Sequence, residues 1–212
     1  MSNLDLEEQE QLAELKTWWR QYGNLVITFI TLVLLAFAAW NGWTWYQRNQ
    51  SAQAANFYTE LQKAARVGDA KAARDAAGTI LEQFPRTNYG PMAALLSAKV
   101  HFQSGDLKTA RAQLHWAVDN ARSDDVKAIA RLRLANVLID DGALDDAFKV
   151  LEPATPEAFT AAVAATRGDI LALQKKPADA RAAYKQALEK RDLLDPTLRE
   201  VIQMKLDSLG QS

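Results

Sequence analysis

The chain holds two imidazoles, His101 and His115, and no cysteine. Without thiols there is no Cys nucleophile, no disulfide scaffold and no thiolate metal site. Two histidines do not make a multi-His metal centre. Asp140-Asp141 and Asp145-Asp146 flank Gly142 in a way that resembles a calcium loop. An EF-hand, however, needs acids at alternate positions closed by a Glu, and that pattern is not met. These acids, with Asp124-Asp125, read instead as helix caps or terminators. No Gly-rich phosphate loop and no Ser/His/Asp ordering is present. His101 is expected in the core and His115 at or near the surface. The residue types thus predict no catalytic, cofactor-binding or metal-binding residue: not an enzyme, no cofactor, no small-molecule substrate. Lys+Arg is 25 and Asp+Glu is 26, a net charge of -1, which makes a poor generic nucleic-acid binder.

If no residue does chemistry, the elements that present the surfaces carry the information, and charge divides them. Residues 1–24 hold five acids (Asp5, Glu7, Glu8, Glu10, Glu14) and two bases (Lys16, Arg20), and no charge follows from Gln21 to Gln47. The stretch 25–45 spans about 31 Å as a helix, the thickness of a bilayer core. Trp18, Trp19 and Tyr22 precede it; Trp40, Trp43, Trp45 and Tyr46 close it. Indole and phenol rings favour the headgroup region, so these are the expected membrane-interface anchors of a transmembrane helix. Ala36-Phe37-Ala38 has the form of a signal-peptide cleavage site. The acid-rich front and the aromatic belt beyond that site favour an uncleaved anchor. Lys16 and Arg20 before the span, against Arg48 alone after it, predict a cytoplasmic N-terminus and an exported C-terminal part.

Residues 46–212 contain 34 alanines and no alternating strand pattern. A period is present. Gly68-Asp69-(x3)-Ala73, Gly105-Asp106-(x3)-Ala110 and Gly142-Ala143-(x3)-Ala147 recur at intervals of 37, and Lys175-Lys176-(x3)-Ala180 follows at 33, measured on the alanine. Gly is suited to ending a first helix, and the small Ala lets a second helix close against it. Ala98-(x6)-Gly105-Asp106-Leu107-(x2)-Ala110-(x3)-Leu114-(x2)-Ala117 and Gly168-(x11)-Ala180-(x3)-Tyr184-(x2)-Ala187-Leu188 carry the pattern best. This resembles the tetratricopeptide repeat, with a period of about 34 residues. Phe57, Ala94, Arg131 and Ala164 stand where that family's first anchor is often Trp. Pro153 and Pro156 are expected to cut the third unit's second helix short near Leu151. Asp195 as N-cap and Pro196 at the first helical position open a capping helix with Leu198, Val201, Ile202, Lys205 and Leu209 as its stripe. The expected fold is all-α: a leader (1–24), a transmembrane helix (25–45), and an α-solenoid (46–212) of about four helix pairs with a C-terminal cap.

In that repeat class the first helices line a binding groove. The resemblance maps it to Tyr58, Gln62, Leu95, Lys99, Phe102, Leu132, Asn136, Ile139, Asp169 and Leu173. The mixture suits an extended or helical peptide more than a charged tail. The whole arrangement, including Leu15-Lys16-Thr17-Trp18-Trp19-Arg20-Gln21-Tyr22-Gly23-Asn24, resembles the YfgM-type ancillary subunits of the bacterial Sec translocon. The resemblance implies an inner-membrane protein, N-terminus cytoplasmic and C-terminal domain periplasmic. Its implied partners are the SecYEG channel and a membrane-anchored periplasmic chaperone of the prolyl-isomerase type, to which translocated proteins are handed on. Two alternatives fit the same architecture: an envelope scaffold coordinating cell division or wall synthesis, and a signalling adaptor acting through its cytoplasmic leader.

Overall fold

The computed structural model describes residues 6–210, and the side chains of 6–10 and 191 are excluded from that description. Of the leader acids, Asp5 therefore lies outside the described residues, and the side chains of Glu7, Glu8 and Glu10 lie outside the description. Every regular element among the described residues is helical. They are α1 (Leu6–Val67), α2 (Ala70–Gln83), α3 (Tyr89–Gln103), α4 (Leu107–Asn120), α5 (Asp124–Asp140), α6 (Leu144–Val150), α7 (Thr160–Leu173), α8 (Pro177–Glu189) and α9 (Pro196–Ser208). Single 3-10 turns stand at Glu157–Phe159 and Arg191–Leu193. The chain divides between Asn49 and Gln50 into two compact units, and α1 contributes to both.

In the first unit α1 is long and apolar enough to cross a membrane. Its large apolar side chains are mostly exposed among the described residues: Leu34, near the middle of the run, is 61% exposed. The polar side chains of the run are satisfied by their own helix. Thr28 Oγ1 donates to the Asn24 carbonyl and Thr31 Oγ1 to that of Ile27, both at 2.8 Å, and Asn41 Nδ2 donates to Phe37 at 3.0 Å. Each bond removes a polar group that hydrocarbon would otherwise penalise. The interfacial rings cluster at both ends, Trp18 with Tyr22 at 5.9 Å and Trp43 with Tyr46 at 6.2 Å between centroids.

The second unit stacks helix pairs. The C-terminal part of α1 pairs with α2, then α3 with α4, α5 with α6 and α7 with α8, and α9 closes the array. The periodic turns explain the pairing. Gly68, Gly105 and Gly142 take φ of +72°, +81° and +75°, and Lys175 takes +61° in the fourth turn. In each turn the next amide reaches back five residues: Asp69 N–H to Ala64 O, Asp106 to His101, Ala143 to Leu138 and Lys176 to Leu171, at 2.8–3.0 Å. This is one Schellman closure used four times. Asp69 and Asp106 then cap the following helices by accepting from Ala72 and Thr109 N–H. The four periodic alanines, Ala73, Ala110, Ala147 and Ala180, are all fully buried. With these methyls already fully buried, a larger side chain at the same positions would overpack the paired helices.

The third unit departs from the pattern as its prolines predict. α6 has 7 residues and stops at Leu151. Arg167 replaces the missing turns, donating from Nη2 to the Leu151 carbonyl at 2.7 Å while its guanidinium lies over the Phe148 ring. α9 is capped by Asp195, which accepts from Thr197 N–H, and buries Ile202 in the terminal core with Tyr184 and Leu194.

Candidate functional site

The buried polar cluster nearest to catalytic chemistry lies at the junction of α2, α3 and α4. Ser97 and His101 are one turn apart on α3, both 0% exposed, and neither the serine hydroxyl nor a ring nitrogen makes a hydrogen bond. Asp106 Oδ2 stands 3.3 Å from His101 Nδ1, off the hydrogen-bonding line, and accepts from Arg74 Nη2 at 3.0 Å. Burial holds the His101 pKa below the ordinary imidazole value; Arg74 adds to this and Asp106 opposes it. The Asp106 carboxyl is held below its usual range by its bonds to Thr109, with the Arg74 guanidinium adding to this. Serine, histidine and aspartate are thus assembled where no substrate reaches the first two. The neutral imidazole is a packing residue, as expected for His101, and His115 is exposed. Among the described residues no His/Asp/Glu group is arranged to hold a metal ion.

One open cavity, of about 470 Å³, lies among the loops around residues 85–88 and 120–123, and two others lie along the first helices of successive pairs. One cavity of about 280 Å³ separates α3 from α5, with Ala98, Leu114 and Val137 as its floor and Lys99, Phe102, Arg133 and Asn136 around it. A second, of about 580 Å³, is walled by Asn136, Ile139 and Asp140 of α5, Asp169, Ala172 and Leu173 of α7, Tyr184 of α8, and Lys205, Ser208 and Leu209 at the C-terminal cap. Asn136 borders both, so the two form one interrupted groove. Phe102 is 38% exposed and Leu173 55%, large apolar surfaces with no internal partner to cover them. The helical period places them here: Lys99, Phe102 and His101 share α3, and burying His101 turns Phe102 outward.

Of the ten groove positions expected from the sequence, the structure brings Lys99, Phe102, Asn136, Ile139, Asp169 and Leu173 to these cavities. Gln62 is exposed outside them, and Tyr58 packs on Tyr89 with ring centroids 5.4 Å apart. Leu95 is buried in the central core, and Leu132 is partly buried against it. Asp169 is held by its own molecule: the Tyr184 hydroxyl and Lys205 Nζ both donate to Oδ1 at 2.7 Å. Burial, followed by the Asp169 bond, pushes the Tyr184 pKa well above the usual phenol value. Sequence reasoning missed Arg133, Asp140, Tyr184 and Lys205. Arg133 carried a usable signal, standing one turn before Asn136 on the same helix. Tyr184 and Lys205 lie on α8 and α9, which a template built on first helices does not consider.

A family model for a tetratricopeptide repeat-like domain matches residues 16–211. Several curated proteins are similar over nearly their whole length, and each is named ancillary SecYEG translocon subunit. The one from Neisseria gonorrhoeae is 31% identical over 211 residues, covering 96% of this chain and 98% of the relative. Those from Haemophilus influenzae and Escherichia coli are 28% and 27% identical, each over 96% of this chain and 98% and 97% of their own.

Proposed function

The chain belongs to the family of ancillary SecYEG translocon subunits built on a tetratricopeptide repeat-like domain, and from that premise we propose that it acts beside the SecYEG channel as a membrane-anchored interaction protein without catalysis of its own. The anchor is α1, crossing the bacterial inner membrane once, with the N-terminus in the cytoplasm and residues 46–212 in the periplasm. The bias of Lys16 and Arg20 over Arg48 supports that orientation. The repeat domain receives segments of newly translocated proteins and passes them to a membrane-anchored periplasmic chaperone of the prolyl-isomerase type.

The observation that carries the reading is the interrupted groove with Phe102 and Leu173 uncovered beside it. Apolar surface of this kind on a soluble domain marks partner sites. The test is site-specific photo-crosslinking from position 102 in native membranes, with the exposed position 115 on α4 as control. Adducts to translocon subunits, a periplasmic chaperone or exported chains from 102 only are the expected result. Equal adducts from both positions, or none from 102, would move the working surface elsewhere. Protease accessibility of residues 46–212 in spheroplasts tests the orientation independently.

A further inference from the structure

The cavity between α3 and α5 has an electrical character that its apolar floor hides. α3 (Tyr89–Gln103) contains no Asp or Glu, and α5 contains none between Val126 and Ile139. Among the described residues that line the cavity, Lys99 and Arg133 are the charged ones and none is Asp or Glu. Lys99 is exposed and makes no ion pair, while Arg133 uses Nη1 to donate to the Leu95 carbonyl at 3.3 Å, a neutral acceptor. Elsewhere Arg74 pairs with Asp106, Arg111 with Asp141, Lys127 with Asp124, Lys149 with Asp146 and Lys205 with Asp169, while Arg131, Arg167, Arg181, Arg199 and Lys176, like Arg133, donate to neutral oxygens. At this rim two cations stand beside an apolar slot and an exposed aromatic ring with their charge uncompensated. A volume of about 280 Å³ accommodates one large side chain and little more.

We infer that this cavity takes an unfolded polypeptide segment in which one large apolar side chain is flanked by Asp or Glu. The apolar side chain rests on Ala98, Leu114 and Val137 against Phe102, and the flanking carboxylates face Lys99 and Arg133. The carboxylates belong to side chains within the segment, since the slot is open along the groove toward Asn136 and does not close around a chain end. The inference rests on the proposed groove function and adds the chemistry of what the groove selects. The opposite pattern, an apolar residue flanked by lysines, meets like charge at this rim and is disfavoured.

The test uses the full chain in nanodiscs of phosphatidylcholine, a lipid without net charge. The probes are three rhodamine-labelled 13-residue peptides, acetylated and amidated so that no terminal charge contributes. One carries a central Leu flanked by Asp, one the same Leu flanked by Lys, and one a central Ser flanked by Asp. Fluorescence anisotropy at low salt should give the Asp-Leu peptide roughly three- to thirtyfold tighter binding than the Lys-Leu peptide, the range expected for two partly exposed charge pairs. Salt should shrink that ratio. Lys99→Glu with Arg133→Glu should reverse the preference. Lys99→Glu alone, which removes no internal contact, should at least halve the ratio. If both Leu peptides bind equally and Phe102→Ser weakens both, the charge inference is overturned and the groove reading stands. If Phe102→Ser leaves binding unchanged, or no peptide binds, both are overturned.

Discussion

Gly168 on α7 offers a substitution whose cost is set by one contact. A Cβ built on it would lie 2.5 Å from Tyr184 Cε1 and 2.6 Å from Cδ1, closer than such atoms approach. Tyr184 is 2% exposed, and its hydroxyl is tied to Asp169 at 2.7 Å, so the ring has little room to retreat. Gly168→Ala therefore overpacks the α7–α8 contact at about 1–3 kcal/mol. Displacing the ring also weakens its bond to Asp169, at about 1 kcal/mol. The gain in helix propensity from Gly to Ala returns about 1 kcal/mol. The net expectation is about 1–3 kcal/mol of destabilisation, or a fall in Tm of roughly 2–12 °C for a domain of this size. Circular dichroism melts of the full chain in detergent measure it. Gly78→Ala in α2, where nothing lies within 4 Å of the added Cβ, is the control and should be neutral or stabilising. Tyr184→Leu on the Gly168→Ala background should recover part of the loss, because it vacates the space the new methyl needs. A Gly168→Ala protein as stable as its parent would refute the reasoning, since the close approach would then be one the structure relaxes without cost.

Three further outcomes follow from other contacts. His101 is neutral in the fold with its pKa below the ordinary value of 6.5, so its contribution to stability is complete above that pH and declines as pH falls below it; the stability difference between the parent and His101→Leu, from denaturant titrations at pH 7.5 and 5, should shift in favour of the variant on acidification. Lys175 takes φ of +61°, where a Cβ is strained by about 1–2 kcal/mol and Gly is not, so Lys175→Gly should raise the fourth turn's stability by up to about 1 kcal/mol after its larger unfolded-state entropy, read from the same melts. Leu34→Arg places a charge in the middle of the apolar run of α1 and should cost about 2.5–3.5 kcal/mol of insertion, seen as protein released by carbonate extraction.

Much of the fold is legible because local rules repeat. Gly68, Gly105 and Gly142 announce left-handed residues, the alanine five positions on announces a close helix contact, and both hold in the structure at every unit where they occur. The fourth turn is harder to read, since Lys175 does the work of Gly through the same backbone bond from Lys176 to Leu171. There the five-residue closure and the packing of α7 on α8 override a residue preference. The shortened α6 follows from Pro153 and Pro156, but its repair by Arg167 does not, because that bond joins residues whose proximity only the assembled stack defines. The groove is half legible for a similar reason. Helical spacing places Lys99 and Phe102 on an outer face of α3, whereas the carboxylate of Asp169 is claimed by Tyr184 and Lys205, side chains brought to it by two later helices. Periodicity reports which face a side chain occupies; it does not report which other element arrives at that face.

The same alanines that make the repeats pack closely also limit what the groove achieves alone. Helices separated by methyl groups leave slots, and the one beside Phe102 is about 280 Å³, room for a single large side chain. Burying one such side chain contributes about 1.5–3 kcal/mol. A micromolar complex needs about 8 kcal/mol, so this slot supplies a fraction of it even with both rim charges engaged. Extension along the groove past Asn136 adds contact, but Asp169 and Lys205 there are already satisfied by each other and gain little from a ligand. On the proposed function, an affinity of that order suits a surface that captures segments briefly and releases them. It becomes effective where a partner is already held close, because tethering converts a weak encounter into one at millimolar effective concentration. α1, apolar enough to span a bilayer, is the element that can hold the repeat domain near such a partner. On this argument anchor and groove are one device, and cutting between them should reduce capture in native membranes while leaving the affinity for free peptides unchanged.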